Sequence, residues 1–271
     1  MTAATSTPAT TARRTSSGWR GFPTLLRTET QVWLRDFAGV FFGLIFPTVL
    51  LVGVGLVIPG MREPVQDAPP SSPWYGLTPV AMYVPPVLAS ALATAALTVM
   101  PPTFGALREK GVLRRLATTP MRPQGLVAVH YLINLVATVA AAVLAVVVGA
   151  LVFDITAPRQ LGVVLLSFVL GLACLFALGT LLAARVERAQ TASAIAMPIY
   201  FPLLLLAGMW TPGPIMPEAL RVVGKFTPLG AASQALSVGW FESGFPLVQV
   251  VVMIAWSAIL FPLGIRLFRW T

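Results

Sequence analysis

Charged side chains are scarce in this chain of 271 residues. Asp, Glu, Lys and Arg together make up 10% of it, whereas 57% of the residues are hydrophobic. Soluble domains typically have about 25% charged and about 45–50% apolar residues. A separate soluble domain would need on the order of 100 residues of ordinary composition, and no such stretch exists. The composition therefore excludes a soluble globular protein and predicts one polytopic membrane domain.

Residues that carry catalytic or metal chemistry are also few. Cys174 is the single cysteine, which excludes an internal disulfide. His130 is the single histidine and has no cysteine to complete a metal site and no nearby serine for acyl transfer. Neither Lys110 nor Lys225 follows the glycine spacing of a P-loop, so the chain cannot hydrolyse ATP by that route. We expect no catalytic residue, metal site or cofactor in this chain.

Long apolar runs are abundant, and six of them reach the roughly 20 residues that a membrane crossing needs. The expected spans are about 37–58, 79–103, 126–153, 161–183, 191–210 and 247–268. In the second, Pro85-Pro86 and Pro101-Pro102 leave an unbroken helical stretch that is too short to cross. That helix must be kinked or extended through its prolines.

None of the six runs contains a central charge. Secondary transporters generally place ionisable residues within their spans to bind protons, ions or charged substrates. Their absence disfavours ion-coupled transport, although backbone carbonyls can bind Na⁺, so that alternative stays open. If the protein uses energy, we expect the energy to enter from outside the chain.

The one strongly cationic segment spans residues 105–122, between the second and third runs. An excess of Lys and Arg marks cytoplasmic loops, which orients all six spans. Under this topology 14 of the 18 Lys and Arg residues are cytoplasmic and 4 are external. We therefore expect both termini in the cytoplasm. The net charge of +9 is explained by orientation and anionic lipid, so no nucleic-acid partner is expected.

Two segments outside the spans carry further expectations. Residues 1–22 are rich in Thr, Ala and Ser and predict a disordered cytoplasmic tail. Residues 23–36 predict an amphipathic helix in the cytoplasmic headgroup layer, with Trp33 on its apolar side and Arg27 and Arg35 on its polar side. A plain cytoplasmic extension of the first span is the alternative.

The stretch from 211 to 246 is interrupted by Pro212, Pro214 and Pro217 and contains no run long enough to cross. Short re-entrant or interfacial helices suit it best. Pro217 begins one plausible helix, and Thr227-Pro228 ends it.

The cationic segment could do more than orient the protein. Drawn as a helix from Ala106, the segment has an apolar arc and an opposite cationic side, and Glu109 has no partner within the helix. Gly111 bends or divides this helix, and Thr119-Pro120 ends it. The apolar arc comprises Val112, Leu113, Leu116 and Ala117, and the cationic side comprises Arg108, Lys110, Arg114 and Arg115. A partner protein could dock there. The alternative is a basic loop that only orients the protein.

Two motifs resemble a known family. The run E-K-G-V-L-R-R-L-A-T-T-P-M-R, from Glu109 to Arg122, is similar to the pattern E-x-G-T-L-x-x-L-x-x-T-P-x-x-R of ABC-2 type permease subunits, a group that includes actinobacterial antibiotic-resistance permeases. The run P-L-L-L-L-A-G-M-W-T-P from Pro202, followed by I-M-P and T-P-L, resembles that family's apolar P-L-L-F-x-S-G-x-x-x-P...M-P...N-P-L region. Val112 and Thr227 depart from the usual Thr and Asn.

The resemblance implies an all-α membrane fold with six spans, an N-terminal interfacial helix and short re-entrant helices between spans five and six. It also implies two copies of a separate ATPase subunit, which would bind ATP and Mg, and a second permease subunit, identical or different. The coupling residues it implies are Arg108, Glu109, Lys110, Gly111, Leu113, Arg114, Arg115, Leu116, Thr119 and Pro120. Those of the re-entrant region are Pro202, Gly208, Pro212, Pro217 and Pro228.

The function that follows as an expectation is ATP-driven export of a hydrophobic or amphipathic drug-like or lipid-like molecule across the bacterial plasma membrane. Aromatic, Met and Leu side chains would select it by apolar contact near the permease dimer interface. Two rivals stay open at this point: a membrane anchor or assembly protein without a transported substrate, and an ion-coupled carrier.

Overall fold

The structure is a computed structural model that describes residues 21–66, 69, 72, 74–112, 123–212 and 215–267. Within them the chain is helical, and six helices are long and apolar enough to cross a membrane, which confirms the all-α fold with six spans. The predicted tail up to residue 20 lies outside the described residues. So do Leu113, Arg114, Arg115, Leu116, Thr119 and Pro120 of the predicted coupling set.

Nine helices follow one another in the described chain. They are α1 (Phe22–Arg35), α2 (Phe37–Val57), α3 (Pro79–Glu109), α4 (Pro123–Phe153), α5 (Leu161–Ala183), α6 (Ala189–Leu206), α7 (Glu218–Lys225), α8 (Pro228–Phe241) and α9 (Leu247–Leu267). Helices α2 to α6 and α9 are the six candidate spans, and all of them except α3 have apolar side chains exposed on the outside of the bundle.

Helix α3 is the centre of the bundle, because its most apolar stretch is entirely buried. It extends through its prolines. Pro85 and Pro86 lie in the first turn of the segment Val84–Ala93, where missing N–H groups cost little. A π-helical stretch, Thr94–Val99, precedes Pro101 and Pro102. The helix continues six residues beyond the predicted end at residue 103.

The fifth span ends earlier than the sequence suggested. Helix α6 stops at Leu206, whereas the predicted span continued to Trp210. Gly208 has φ +82°, a left-handed conformation that favours glycine, and its N–H donates to Leu205 O at 3.1 Å. This turn closes the helix and leads the chain toward the short helices that follow.

Helices α7 and α8 form a hairpin between the last two spans, and each is too short to cross a membrane. The Gln234 amide donates to Arg221 O and receives a bond from Gln249, near the start of α9. Trp256, about 10 Å further along α9, donates to Phe226 O. Helix α7 therefore runs beside the first part of α9 and in the same direction.

Helix α8 then returns through the core to the turn between α4 and α5. The N–H groups of Arg159 and Gln160 donate to the carbonyls of Trp240 and Gly239 at its end. That this hairpin re-enters the bilayer from the outer side stays a prediction, as does the headgroup position of α1.

Candidate functional site

The described part of the predicted coupling segment is the end of α3. The sequence placed the start of a separate helix at Ala106, but Ala106 to Glu109 are the last turn of α3. Gly111 has φ +65°, and its N–H donates to Arg108 O at 2.9 Å, which ends that turn. Glycine thus divides the segment here, as the sequence indicated. We call residues 105–111 the stem of the coupling loop.

Arg108 in the stem is half-buried and points toward the neighbouring span. Its guanidinium donates to the carbonyl oxygens of Ala183, Ala184 (3.2 Å) and Val186 (2.8 Å), at the end of α5. The last carbonyls of a helix have no intrahelical donor and carry partial negative charge, so a guanidinium is a favourable partner. Glu109 and Lys110, by contrast, are exposed.

The seam between α3 and α5 is closely packed. A Cβ atom at Gly105 would lie 2.7 Å from the backbone carbon of Arg188, and one at Gly179 would lie 2.2 Å from Ala96 O. The absence of side chains at these two glycines lets the backbones touch. Helix α3 is therefore in direct backbone contact with α5 at Gly179 and with the start of α6 at Gly105.

Helix α1 is fixed to the third span. Glu29 Oε2 lies 3.6 Å from His130 Nε2, while His130 Nδ1 lies 3.0 Å from Leu126 O. Trp33 is half-buried beside Gly43, whereas Arg27 and Arg35 are exposed. The sequence left His130 without a partner, because Glu29 lies about a hundred residues away in the chain.

Replacing Glu29 with glutamine is expected to loosen α1 from the third span. A single side-chain contact of this kind contributes about 1 kcal/mol or less, so amide hydrogen exchange of residues 22–35 should accelerate by about fivefold at most. Hydrogen exchange with mass spectrometry measures it. Thr28→Val is the control, because the Thr28 hydroxyl bonds Thr24 O within the same helix. Equal exchange in wild type and Glu29→Gln would contradict the contact.

A cavity of about 700 Å³ opens between α2, α3 and α6. Its walls are mostly apolar and aromatic. They include Phe42 and Phe46 on the first span, Phe201 on the fifth span, and Trp210 after the fifth span. Both π-helical stretches, Phe41–Ile45 and Thr94–Val99, contribute lining residues. Such π-helical turns recur at functional sites in helical proteins. The dimensions and lining suit an apolar ligand of drug-like size.

Hydroxyl groups in the cavity wall already have partners. Ser90, Thr94 and Thr98 donate to the carbonyls of Val87, Ser90 and Thr94 in their own helix. The Thr94 hydroxyl also lies 2.9 Å from the Tyr200 hydroxyl, across the gap between α3 and α6. Of the described lining residues, Asp36 at one end carries the only charge. The wall therefore offers mainly apolar contact.

This cavity was not predicted from the sequence, although a regular spacing of hydroxyl residues indicates it. Ser90, Thr94 and Thr98 are spaced by four, which places three hydroxyls on one face of a buried helix. The facing residue, Tyr200, had no such signal. Its register against Thr94 depends on how two helices pack together, and a pattern within one segment does not contain that information.

None of the five residues predicted for the re-entrant region lines the cavity. Pro202 lies within α6, Gly208 forms the turn after it, and Pro212 is buried. Pro217 precedes α7 and Pro228 is the first residue of α8. Met209 and Trp210, between these elements, line the cavity.

Thr227 stands where the resembling pattern has Asn. It is the N-cap of α8: the N–H of Gly230 donates to its hydroxyl at 3.2 Å, and the hydroxyl donates to Gly224 O at 2.8 Å. Threonine and asparagine are both N-cap residues, so this departure keeps the physical role of the position.

Comparison with known proteins identifies a family for this chain. The curated proteins contain no relative that matches the chain. The family described as ABC-2 type transporter matches residues 16–241, which is most of the chain and includes the stem, the cavity and the helical hairpin. Six spans and this match make the chain an integral, multi-pass membrane protein. The chain belongs to the ABC-2 type transporter family.

Proposed function

We propose that the protein is the permease subunit of an ATP-driven exporter that moves a hydrophobic or amphipathic drug-like or lipid-like molecule outward across the bacterial plasma membrane. Family membership makes it the membrane component of an ABC transporter, not itself catalytic, and implies an ABC ATPase partner. The observation that carries the finer proposal is the apolar cavity whose wall includes the same helix, α3, that ends in the stem.

Because α3 is continuous, it can transmit a displacement from the stem to the cavity wall. Ser90, Thr94 and Thr98 line the cavity, and Arg108 lies about 15 Å further along the same helix axis. A displacement of the cytoplasmic end would change the cavity wall through a rigid element. The π-helical stretch that contains Thr94 and Thr98 is a place where such a helix can adjust its register.

In this proposal two ATPase subunits, which bind ATP and Mg, dock on the 105–122 loop from the cytoplasm. The permease pairs with a second permease subunit, identical or different, and both of its termini are cytoplasmic. Helix α1 lies in the inner headgroup layer, and α7 and α8 re-enter from the outer side. Substrate is selected by apolar contact, so an antibiotic or another drug of that class fits the cavity.

Charge reversal in the coupling loop tests the proposal. In Arg114→Glu and Arg115→Glu variants, substrate-stimulated ATP hydrolysis by the co-expressed complex should fall by about tenfold, since a repelled charge weakens docking. Membrane insertion should be unchanged. The assays are co-purification of the ATPase and its turnover with and without substrate.

Arg159→Glu, in the exposed turn between α4 and α5, is the matched control and should keep wild-type stimulation. Full export activity in both loop variants would show that the coupling assignment is wrong. Failure of any ATPase to associate with the wild-type protein would favour a membrane anchor.

A further inference from the structure

We propose that Arg108 is a positioning residue for energy coupling: it joins the stem of the coupling loop to the end of the fourth span, so that spans two and four move as one unit when an ATPase displaces the loop. This inference rests on the proposed function. It assigns Arg108 a role that faces into the bundle, rather than one in direct contact with the ATPase.

The contact geometry is that of a helix cap supplied by another helix. One guanidinium serves the carbonyls of Ala183, Ala184 and Val186. These groups belong to the last turn of α5 and the first residues after it, where intrahelical donors are lacking. Because guanidinium is planar and has several fixed donors, it can hold three acceptors at once, which an ammonium group does less well.

Close backbone contacts before Arg108 also hold α3 against its neighbours. Gly105, one turn earlier in α3, lies against the backbone of Arg188, where a Cβ atom would be 2.7 Å from a carbonyl carbon. Deeper in the bundle, Gly179 of α5 lies against Ala96. The hydrogen bonds of one side chain and the Gly179 contact therefore connect α3 to α5, while Gly105 contacts the segment that joins α5 to α6. Such a seam transmits displacement instead of absorbing it.

The fourth span in turn reaches elements that the stem does not touch. Thr180, in the last turn of α5, is hydrogen-bonded to Tyr131 of α4, and His130, the residue before Tyr131, contacts Glu29 of α1. Movement of α5 would thus extend to the third span and to the interfacial helix. Phe104 of α3 also packs against His130 and Tyr131, with ring centroids 5.8 and 6.4 Å apart. Without Arg108, the hydrogen bonds that join the stem to the end of α5 would be lost.

A residue that only stabilises the bundle would behave differently from a residue that positions the coupling loop. Loss of stability lowers the amount of folded complex, and basal and substrate-stimulated turnover fall together per cell. Loss of positioning leaves the assembled complex intact but separates ATP hydrolysis from the cavity. The ratio of stimulated to basal turnover in purified complex distinguishes the two roles.

The experiment compares wild type, Arg108→Met and Arg108→Lys in the full permease–ATPase complex, purified and normalised by subunit stoichiometry. We expect Arg108→Met to keep ATPase binding and basal turnover, while the substrate-stimulated component falls by about tenfold. Arg108→Lys should recover part of it, because an ammonium can serve some of the carbonyls. Arg62→Met is the matched control: Arg62 also donates to a helix carbonyl, Gly55 O, but on the outer side.

Gly105→Ala provides a second variant that keeps the arginine. Its methyl group would push the stem away from Arg188, and we expect the same loss of stimulation. The inference is overturned if Arg108→Met retains wild-type stimulation, or if it loses ATPase binding in proportion to stimulation. It is also overturned if Arg108→Met does not assemble while Gly105→Ala assembles and remains fully coupled. Absence of an associated ATPase in wild type would instead reject the proposed function itself.

Discussion

Replacing Gly179 with alanine is expected to destabilise the folded bundle by about 3 kcal/mol, the upper end of the range for overpacked cores. The added Cβ atom would lie 2.2 Å from Ala96 O and 3.0 Å from Ala96 C. Both are backbone atoms in the buried stretch of helix α3, so no side chain can rotate away to make room. The apparent melting temperature of the detergent-purified protein should fall by several degrees, measured by the loss of monodisperse protein on heating.

Gly53→Ala is the matched control, because a Cβ atom at Gly53, in the first span, would meet nothing within 4 Å. Alanine is a better helix former than glycine, so this variant should be as stable as wild type or slightly more so. Similar losses in both variants would mean that the close contact between the second and fourth spans is not the cause.

Filling the cavity is the change expected to affect transport most. Thr98→Trp would place an indole in the space between α2, α3 and α6, and Thr98 bonds only within its own helix among the described contacts. A substrate held by apolar contact would lose part of its surface. Apparent affinity should weaken by about tenfold or more, equivalent to about 1.4 kcal/mol of lost contact. Concentration-dependent stimulation of ATP turnover measures it.

Val136→Trp adds the same bulk to the exposed, lipid-facing side of α4 and should leave the apparent affinity unchanged. Basal ATP turnover should be the same in both variants, since neither position lies near the stem. Unaltered substrate affinity in Thr98→Trp would place the substrate elsewhere in the transporter.

The architecture could be predicted from the sequence because each membrane span is encoded by one continuous apolar segment. A run of apolar residues long enough to cross needs no knowledge of its neighbours, and all six candidate spans coincide with such runs. The N-terminal helix was predicted from the helical spacing of its apolar and polar residues. The break in the cationic segment at Gly111 was predicted from the conformational freedom of glycine. The boundaries that differed, at Glu109 and Leu206, depend on proline and glycine geometry within the folded bundle.

The sites were less predictable because they depend on contacts between segments. Arg108 was grouped with the coupling residues by its charge and position, and nothing in the stem indicated that it would bond carbonyls of α5, more than 70 residues away. The pairing of Thr94 with Tyr200 is of the same kind. Charge and hydropathy identify which face a residue occupies, whereas the partner across a helix interface depends on packing.

The physical equivalence of two side chains also explains one departure from the family pattern. Thr227 replaces Asn at an N-cap, where either side chain accepts a bond from the following helix. The Val112 departure has no such account in the structure. Position 227 therefore keeps the N-cap role that the family pattern indicates, although the residue type differs.

The most direct test of the account is transport in sealed proteoliposomes that contain the permease and its co-purified ATPase. Vesicles would be supplied with a fluorescent amphipathic drug and either Mg-ATP on the ATPase side or an imposed proton or sodium gradient without nucleotide. We predict that the drug moves across the membrane, away from the ATPase side, with ATP and stays in place with either gradient alone. Transport driven by a gradient in the absence of ATP would contradict the central claim.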